Sequence, residues 1–175
     1  EDALPIFWAT GACMFIKKSA FTQIGGFDGR FFAHMEEIDL CWRWQRAGFN
    51  VFYEPKSTVY HVGGGTLSPD SPFKTYLNFR NNLAMLYKNV APLSLLPILF
   101  ARLSLDGIAG IRLLLQGKPK LTWAIIQAHG GFYKLLPSLN RSGNYNFKLN
   151  TIFRKSILWE YFVHKKRKFN QIKFP

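Results

Sequence analysis

The chain has 175 residues, enough for one full core and a helical extension, and its 48% hydrophobic and 17% aromatic content excludes a disordered polypeptide. The formal net charge of +13 is unevenly placed: residues 1–66 hold 6 Lys and Arg against 7 Asp and Glu, whereas residues 67–175 hold 17 against 3. The cations of the second part alternate with Leu, Ile, Phe and Trp, and no helix-turn-helix, RNP or zinc-finger spacing occurs. That composition argues for an anionic membrane surface as partner and against nucleic acid.

Cys13 and Cys41 make neither a disulfide framework nor a zinc quartet and are expected to be small, reduced core residues, as cytoplasmic thiols would be. The opening EDALPIFWATG has no basic n-region and no apolar h-region, and reads as the middle of a domain, so the chain is expected to be a fragment.

Residues 7–17, FWATGACMFIK, predict a buried strand, apolar on both faces and part of a larger sheet. Ser19 reads as the N-cap of a short helix to about Ile24, stopped by Gly25 and Gly26. An aromatic loop from Phe27 to Met35 leads into a helix over Glu36–Ala47, with Leu40, Trp44 and Ala47 on one face and Gly48 as its stop. Two short strands follow, Asn50–Tyr53 and Thr58–Val62, about a turn at Pro55 and Lys56. Residues 63–72 turn to Gly, Ser, Pro and Thr and mark a mobile boundary loop.

Beyond the loop, helices are expected at Phe73–Asn89, from Pro92 to Gln116, and at Leu121–Leu136. Residues 137–150 read as a loop, and an amphipathic helix is expected from about Thr151 to Lys166, before a basic tail. In the long apolar segment 93–115, Arg102, Asp106 and Arg112 make a polar stripe. That stripe suits either a helix lying in a membrane interface or one packed on its own protein with solvated charges.

The stretch Gly25–Gly65, GGFDGRFFAHMEEIDLCWRWQRAGFNVFYEPKSTVYHVGGG, sets an acidic cluster at a helix start, then a histidine after a strand, then three glycines. Together, in this order, these features resemble the C-terminal part of the catalytic domain of family 2 glycosyltransferases, in particular the rhamnosyltransferase-like members. The resemblance covers about residues 7–90. It implies an α/β fold, with residues 1–90 the C-terminal part of a GT-A type nucleotide-sugar transferase domain and residues 91–175 a basic, apolar extension of amphipathic helices. The activity implied is inverting transfer of a sugar from a nucleotide-sugar donor to a hydroxyl of a glycan or lipid-linked acceptor, as in cell-surface polysaccharide synthesis.

The family motif usually reads Glu-Asp-x-Asp with its second acid as base, and MEEIDL puts Glu37 at that position, one methylene longer. The resemblance therefore implies Glu37 as the catalytic base, although first-turn acids also complement a helix dipole. Glu36 either orients the acceptor or points to water, and Asp39 is expected to be structural, either bonding backbone groups at the helix start or pairing with Arg43 one turn on. Gly11 and Ala12 match the segment lining the acceptor and sugar pocket, or serve tight packing. His61 is implied to hold a divalent ion, Mg²⁺ or Mn²⁺, bridging the donor phosphates; the alternative is a surface histidine. An Asp-x-Asp motif, the family's other metal ligand, does not occur in the sequence. Gly63, Gly64 and Gly65 either close over the donor phosphates or form a plain linker. Arg80 either neutralises pyrophosphate or sits on a helix surface. The expected place of the protein is peripheral, at the cytoplasmic face of the inner membrane. The rival reading is a non-enzymatic membrane-surface adaptor.

Overall fold

The computed structural model describes residues 2–61, 68, 70–141, 145, 149–153, 155–168 and 171–172. The glycines Gly63, Gly64 and Gly65 lie outside the described residues. In chain order the elements are β1 (Leu4–Ile6), α1 (Lys18–Gln23), a 3-10 turn (Gly29–Phe31), α2 (Glu36–Arg46), β2 (Val51–Tyr53), α3 (Pro72–Asn89), α4 (Pro92–Leu115), α5 (Pro119–Leu135), a second 3-10 turn (Leu136–Ser138) and α6 (Ile157–Phe162). The architecture among these residues is mostly helical, with one small sheet rather than an α/β layer. Strands β1 and β2 pair antiparallel, Leu4 opposite Tyr53 and Ile6 opposite Val51.

The expected strand at 7–17 does not form; the chain turns at Thr10–Cys13 instead. Only part of its apolar side finds burial on a helix, while Trp8 and Phe15 stay exposed. Met14 and Ile16 pack against Leu40, Cys41 and Trp44 of α2, and the Phe7 carbonyl accepts from Gln45 Nε2. Cys41 is buried there, and burial pushes its thiol pKa up, so its role is packing. Residues 58–61 are likewise not a strand. The expected helix from Thr151 shortens to α6, because Thr151 is drawn onto α2 through its hydroxyl to Gln45 Oε1. Helix α6 then starts where Ser156 caps the Trp159 amide.

Helix α3 opens on Ser71, whose hydroxyl accepts from the Lys74 amide, with Pro72 at its first position. It is the central pillar. Leu83, Ala84 and Met85 meet Phe31 from the 3-10 turn and Phe132 from α5 in the main core. The α3–α5 approach is close enough that a Cβ on Gly131 would collide with the Tyr76 hydroxyl. Helix α4 is tied to α5 by the Thr122 hydroxyl donating to the Gly110 carbonyl at 3.0 Å.

The polar stripe of α4 divides: Arg112 is exposed, whereas Asp106 is buried, taking Arg102 at 2.8 Å and His129 of α5 at 3.1 Å. Leu95, Leu99 and Leu103 face the protein beside it, and Leu96, Phe100, Ile108 and Ile111 face out. Among the described residues, no helix is long and apolar enough to cross a membrane.

Candidate active site

The segment Phe31–Met35, which delivers the acidic cluster, is strained. Phe32, His34 and Met35 all adopt left-handed backbone, with φ of 64°, 68° and 74°. Each such non-glycine residue costs on the order of 1–2 kcal/mol, so the conformation persists only where the surroundings impose it. Helix α3 imposes it. Asn81, fully buried, aims its amide nitrogen at three carbonyls, Phe31 at 2.8 Å, Ala33 at 2.7 Å and His34 at 2.9 Å. Its neighbour Arg80 donates to the carbonyls of Arg30 and Phe31 at 3.0 and 3.1 Å, and its Nε is fixed by Asn81 Oδ1 at 2.8 Å.

A second set of bonds fixes the first turn of α2. Asp39 is fully buried and takes Arg43 Nε at 2.8 Å, Lys88 Nζ at 2.9 Å and Asn89 Nδ2 at 2.8 Å. The expected i,i+4 pair is therefore one arm of a larger network. Lys88 also reaches Asp28 at 2.6 Å, and Asp28 is clasped by Arg30 at 2.7 Å. Burial alone would raise the Asp28 carboxyl pKa, but the hydrogen bonds from Arg30 and Lys88 outweigh it and hold it well below the usual carboxylate range.

With α2 anchored in this way, Glu36 and Glu37 stand at the wall of a cleft of about 470 Å³ shared with Gly11, Phe27, Asp28 and Phe32. Three buried polar atoms at the start of α2 have no hydrogen-bond partner: Glu36 Oε2 and Glu37 Oε2 of the cleft wall, and His34 Nε2 outside its lining. Buried polar atoms are nearly always satisfied, so three orphans within four residues mark a place built to meet something else. Burial pushes the Glu37 carboxyl pKa upward, and the Glu36 charge adds to that; backbone amides of Glu37 and Met35 and the nearby His34 pull the other way. A carboxylate with a raised pKa at a cleft is better suited to accept a proton than an ordinary glutamate.

The structure thus brings together Gly11, Glu36 and Glu37. Ala12 is exposed beside Gly11, its amide bonded to the Thr10 hydroxyl at 3.4 Å. Arg80 is turned into the loop-holding contacts just described. His61 is exposed and outside the cleft lining. Among the described residues no three His, Cys, Asp or Glu side chains converge as a metal cage. Of the aromatics, Phe31 is core, whereas Phe32 is exposed at the cleft edge against Phe73, with ring centroids 6.0 Å apart.

Sequence reasoning missed Asn81, Lys88, Asp28 and His34. A signal for the first two existed: Leu77, Asn81, Ala84, Met85 and Lys88 fall on one helical stripe, so polar residues sit in register with the core.

The sequence is similar to glycosyltransferases. Over 57 residues it is 44% identical to an N-acetylglucosaminyl-diphospho-decaprenol L-rhamnosyltransferase of Mycobacterium tuberculosis, a match covering 33% of this chain and 19% of that protein. It is 37% identical over 54 residues to the rhamnosyltransferase WbbL of Escherichia coli K12, covering 31% of this chain and 20% of the relative. It is also 33% identical over 78 residues to the low-salt glycan biosynthesis hexosyltransferase Agl10 of Haloferax volcanii, covering 44% of this chain and 25% of the relative. The chain therefore resembles rhamnosyltransferase-like glycosyltransferases and spans about a quarter or less of their length. No family model matches it, and no solved structure matches it.

Proposed function

We propose that the full-length protein is an inverting glycosyltransferase of glycan or polysaccharide synthesis, moving a sugar from a nucleotide-sugar donor to a hydroxyl of a glycan or lipid-linked acceptor. The observation that carries this reading is the desolvated Glu37 carboxylate, with one oxygen unpartnered, at the wall of the cleft. In the reaction Glu37 takes the proton of the acceptor hydroxyl as that oxygen attacks the anomeric carbon. The bond to the nucleoside diphosphate breaks on the opposite face, which inverts the centre. Glu36 and Gly11 line the acceptor side, with Ala12 beside them. Arg80 serves by holding the loop before α2, and Gly63, Gly64 and Gly65 would supply backbone amides to the donor phosphates. A divalent ion, Mg²⁺ or Mn²⁺, would neutralise the departing diphosphate when bound. Of the described residues, His61 offers it one exposed imidazole and the remaining ligands would come from elsewhere. The working place of such an enzyme is peripheral, at the cytoplasmic face of the inner membrane.

The test is Glu37→Gln in the full-length protein, assayed for transfer and for donor binding. Loss of a positioned base lowers turnover by roughly a hundredfold to ten-thousandfold, with donor affinity retained. Unchanged turnover would remove Glu37 from the mechanism. The rival adaptor reading would be supported by a wild-type protein that binds acceptor or membrane with no measurable transfer.

A further inference from the structure

Helix α4 is apolar on both sides: Leu95, Leu99 and Leu103 face the protein, and a second apolar stripe faces out. Leu93, Leu96, Phe100, Ile108, Ile111 and Leu115 recur at helical spacing, are between 62% and 98% exposed, and cover one side of a helix of 24 residues. At 1.5 Å per residue that side extends about 36 Å. Asp106, buried on the inner side, takes Arg102 of its own helix and His129 of α5. A contiguous apolar face of this length left in water is unfavourable, so it calls for an apolar phase on the outer side.

We propose that the outward face of α4, from Leu93 to Leu115, is a docking surface for an anionic lipid bilayer, on which the helix lies in the interfacial plane. Charge selects this occupant. Within residues 92–135 the cations are Arg102, Arg112, Lys118, Lys120 and Lys134, and the one acid, Asp106, is buried. Lys118 is held by Asp70 at 2.7 Å, while no described carboxylate pairs with Arg112, Lys120 or Lys134. Arg112 borders the apolar face, and Lys118 and Lys120 follow directly on its C-terminal end, where headgroup phosphates would meet them. A second copy of this chain would bring like charge onto like charge across the same face, at a formal net charge of +13 per copy. An apolar stripe edged by cations combines acyl-chain insertion with headgroup attraction, which together give stable peripheral binding where either alone is marginal. This proposal stands on the geometry of α4 and does not require the transfer chemistry.

The experiment is co-sedimentation of the full-length protein with phosphatidylcholine vesicles, with and without phosphatidylglycerol. Wild type is expected to partition onto the phosphatidylglycerol vesicles and to be released by high salt only in part, because the apolar contribution is unscreened. The variant Leu96→Glu/Ile108→Glu/Ile111→Glu is expected to bind at least roughly tenfold more weakly. Phe52→Glu, an exposed position on the sheet, should bind as wild type. Should the triple variant not fold, Arg112→Glu serves instead, with a loss of roughly fivefold or more for the lost cation. The proposal is overturned if wild type stays in the supernatant, if the folded triple variant binds equally, or if salt releases wild type completely. It is also overturned if wild type is a dimer that the triple variant converts to monomer. Transfer to a water-soluble acceptor separates this outcome from the catalytic reading, since it depends on Glu37 and not on α4.

Discussion

The start of α2 and the outer side of α4 depart from ordinary burial in opposite senses. At α2, polar atoms of His34, Glu36 and Glu37 are taken out of water and left without partners, and the backbone leading to them is held in a conformation that side chains resist. At α4, apolar side chains are left in water while Arg102 and Asp106 are taken in and paired. The first departure concentrates unmet hydrogen-bonding capacity in a cleft, which favours reaction with a small polar molecule. The second spreads unmet apolar area along a helix, which favours contact with an extended apolar phase. Different molecules are called for, and the two regions should respond to different perturbations.

The largest expected effect on stability lies beneath α2. Lys88→Ala would leave Asp28 and Asp39 buried without their ammonium, and removing one member of a buried ion network costs about 3–5 kcal/mol; denaturant unfolding measures it. A loss under 1 kcal/mol would mean that the network is not what anchors the site. Next comes Asn81→Ala. It takes the amide from the Ala33 and His34 carbonyls, while the Phe31 carbonyl keeps Arg80; the cost is about 1–3 kcal/mol, and kcat should fall more than KM because the loop that aims Glu37 is released. A purely structural role for Asn81 would lower stability with kcat untouched in the protein that remains folded.

Acid titration gives a smaller effect with a defined sign. Asp28 has a folded pKa depressed below the ordinary carboxylate value of 3.8, so its stabilising contribution is complete above that value and is lost as pH falls below it toward the folded pKa. Asp28→Asn should flatten this part of the stability–pH curve. An unchanged curve would place the acid sensitivity elsewhere. The smallest effect belongs to the other region. Ile108→Ser on the outer side of α4 should shift unfolding by no more than about 0.5 kcal/mol, because the side chain is exposed. A loss well beyond that would show α4 to be covered by protein and would collapse the contrast between the regions.

Much of this was legible in the sequence. Helices α2 to α5 follow from helical spacing of apolar residues and from their stops. Gly48, with φ of 88°, ends α2 as its position after Ala47 implies. Gly11, Glu36 and Glu37, singled out from a resemblance, line one cleft. The strand expected at 7–17 does not form: an apolar run reports burial without saying against what, and here α2 covers Met14 and Ile16 and leaves Trp8 and Phe15 exposed. Which way α4 turns was not legible either. A periodic stripe fixes two faces and not which one is inward, and the pairing of Asp106 with His129 depends on α5, 23 residues away. The strained backbone at Phe32, His34 and Met35 carries no local signature at all, since it is imposed by Asn81 from across the core.

The most direct test of the central claim is the pH dependence of kcat/KM for the full-length protein beside that of Glu37→Gln. If Glu37 is the base, activity rises with pH through a single acidic limb. Because burial raises the Glu37 carboxyl, the midpoint of that limb lies above the ordinary glutamate value of 4.5. The limb should vanish in the residual activity of Glu37→Gln. The same limb in the variant, or a wild-type midpoint at or below the ordinary value, would contradict the account.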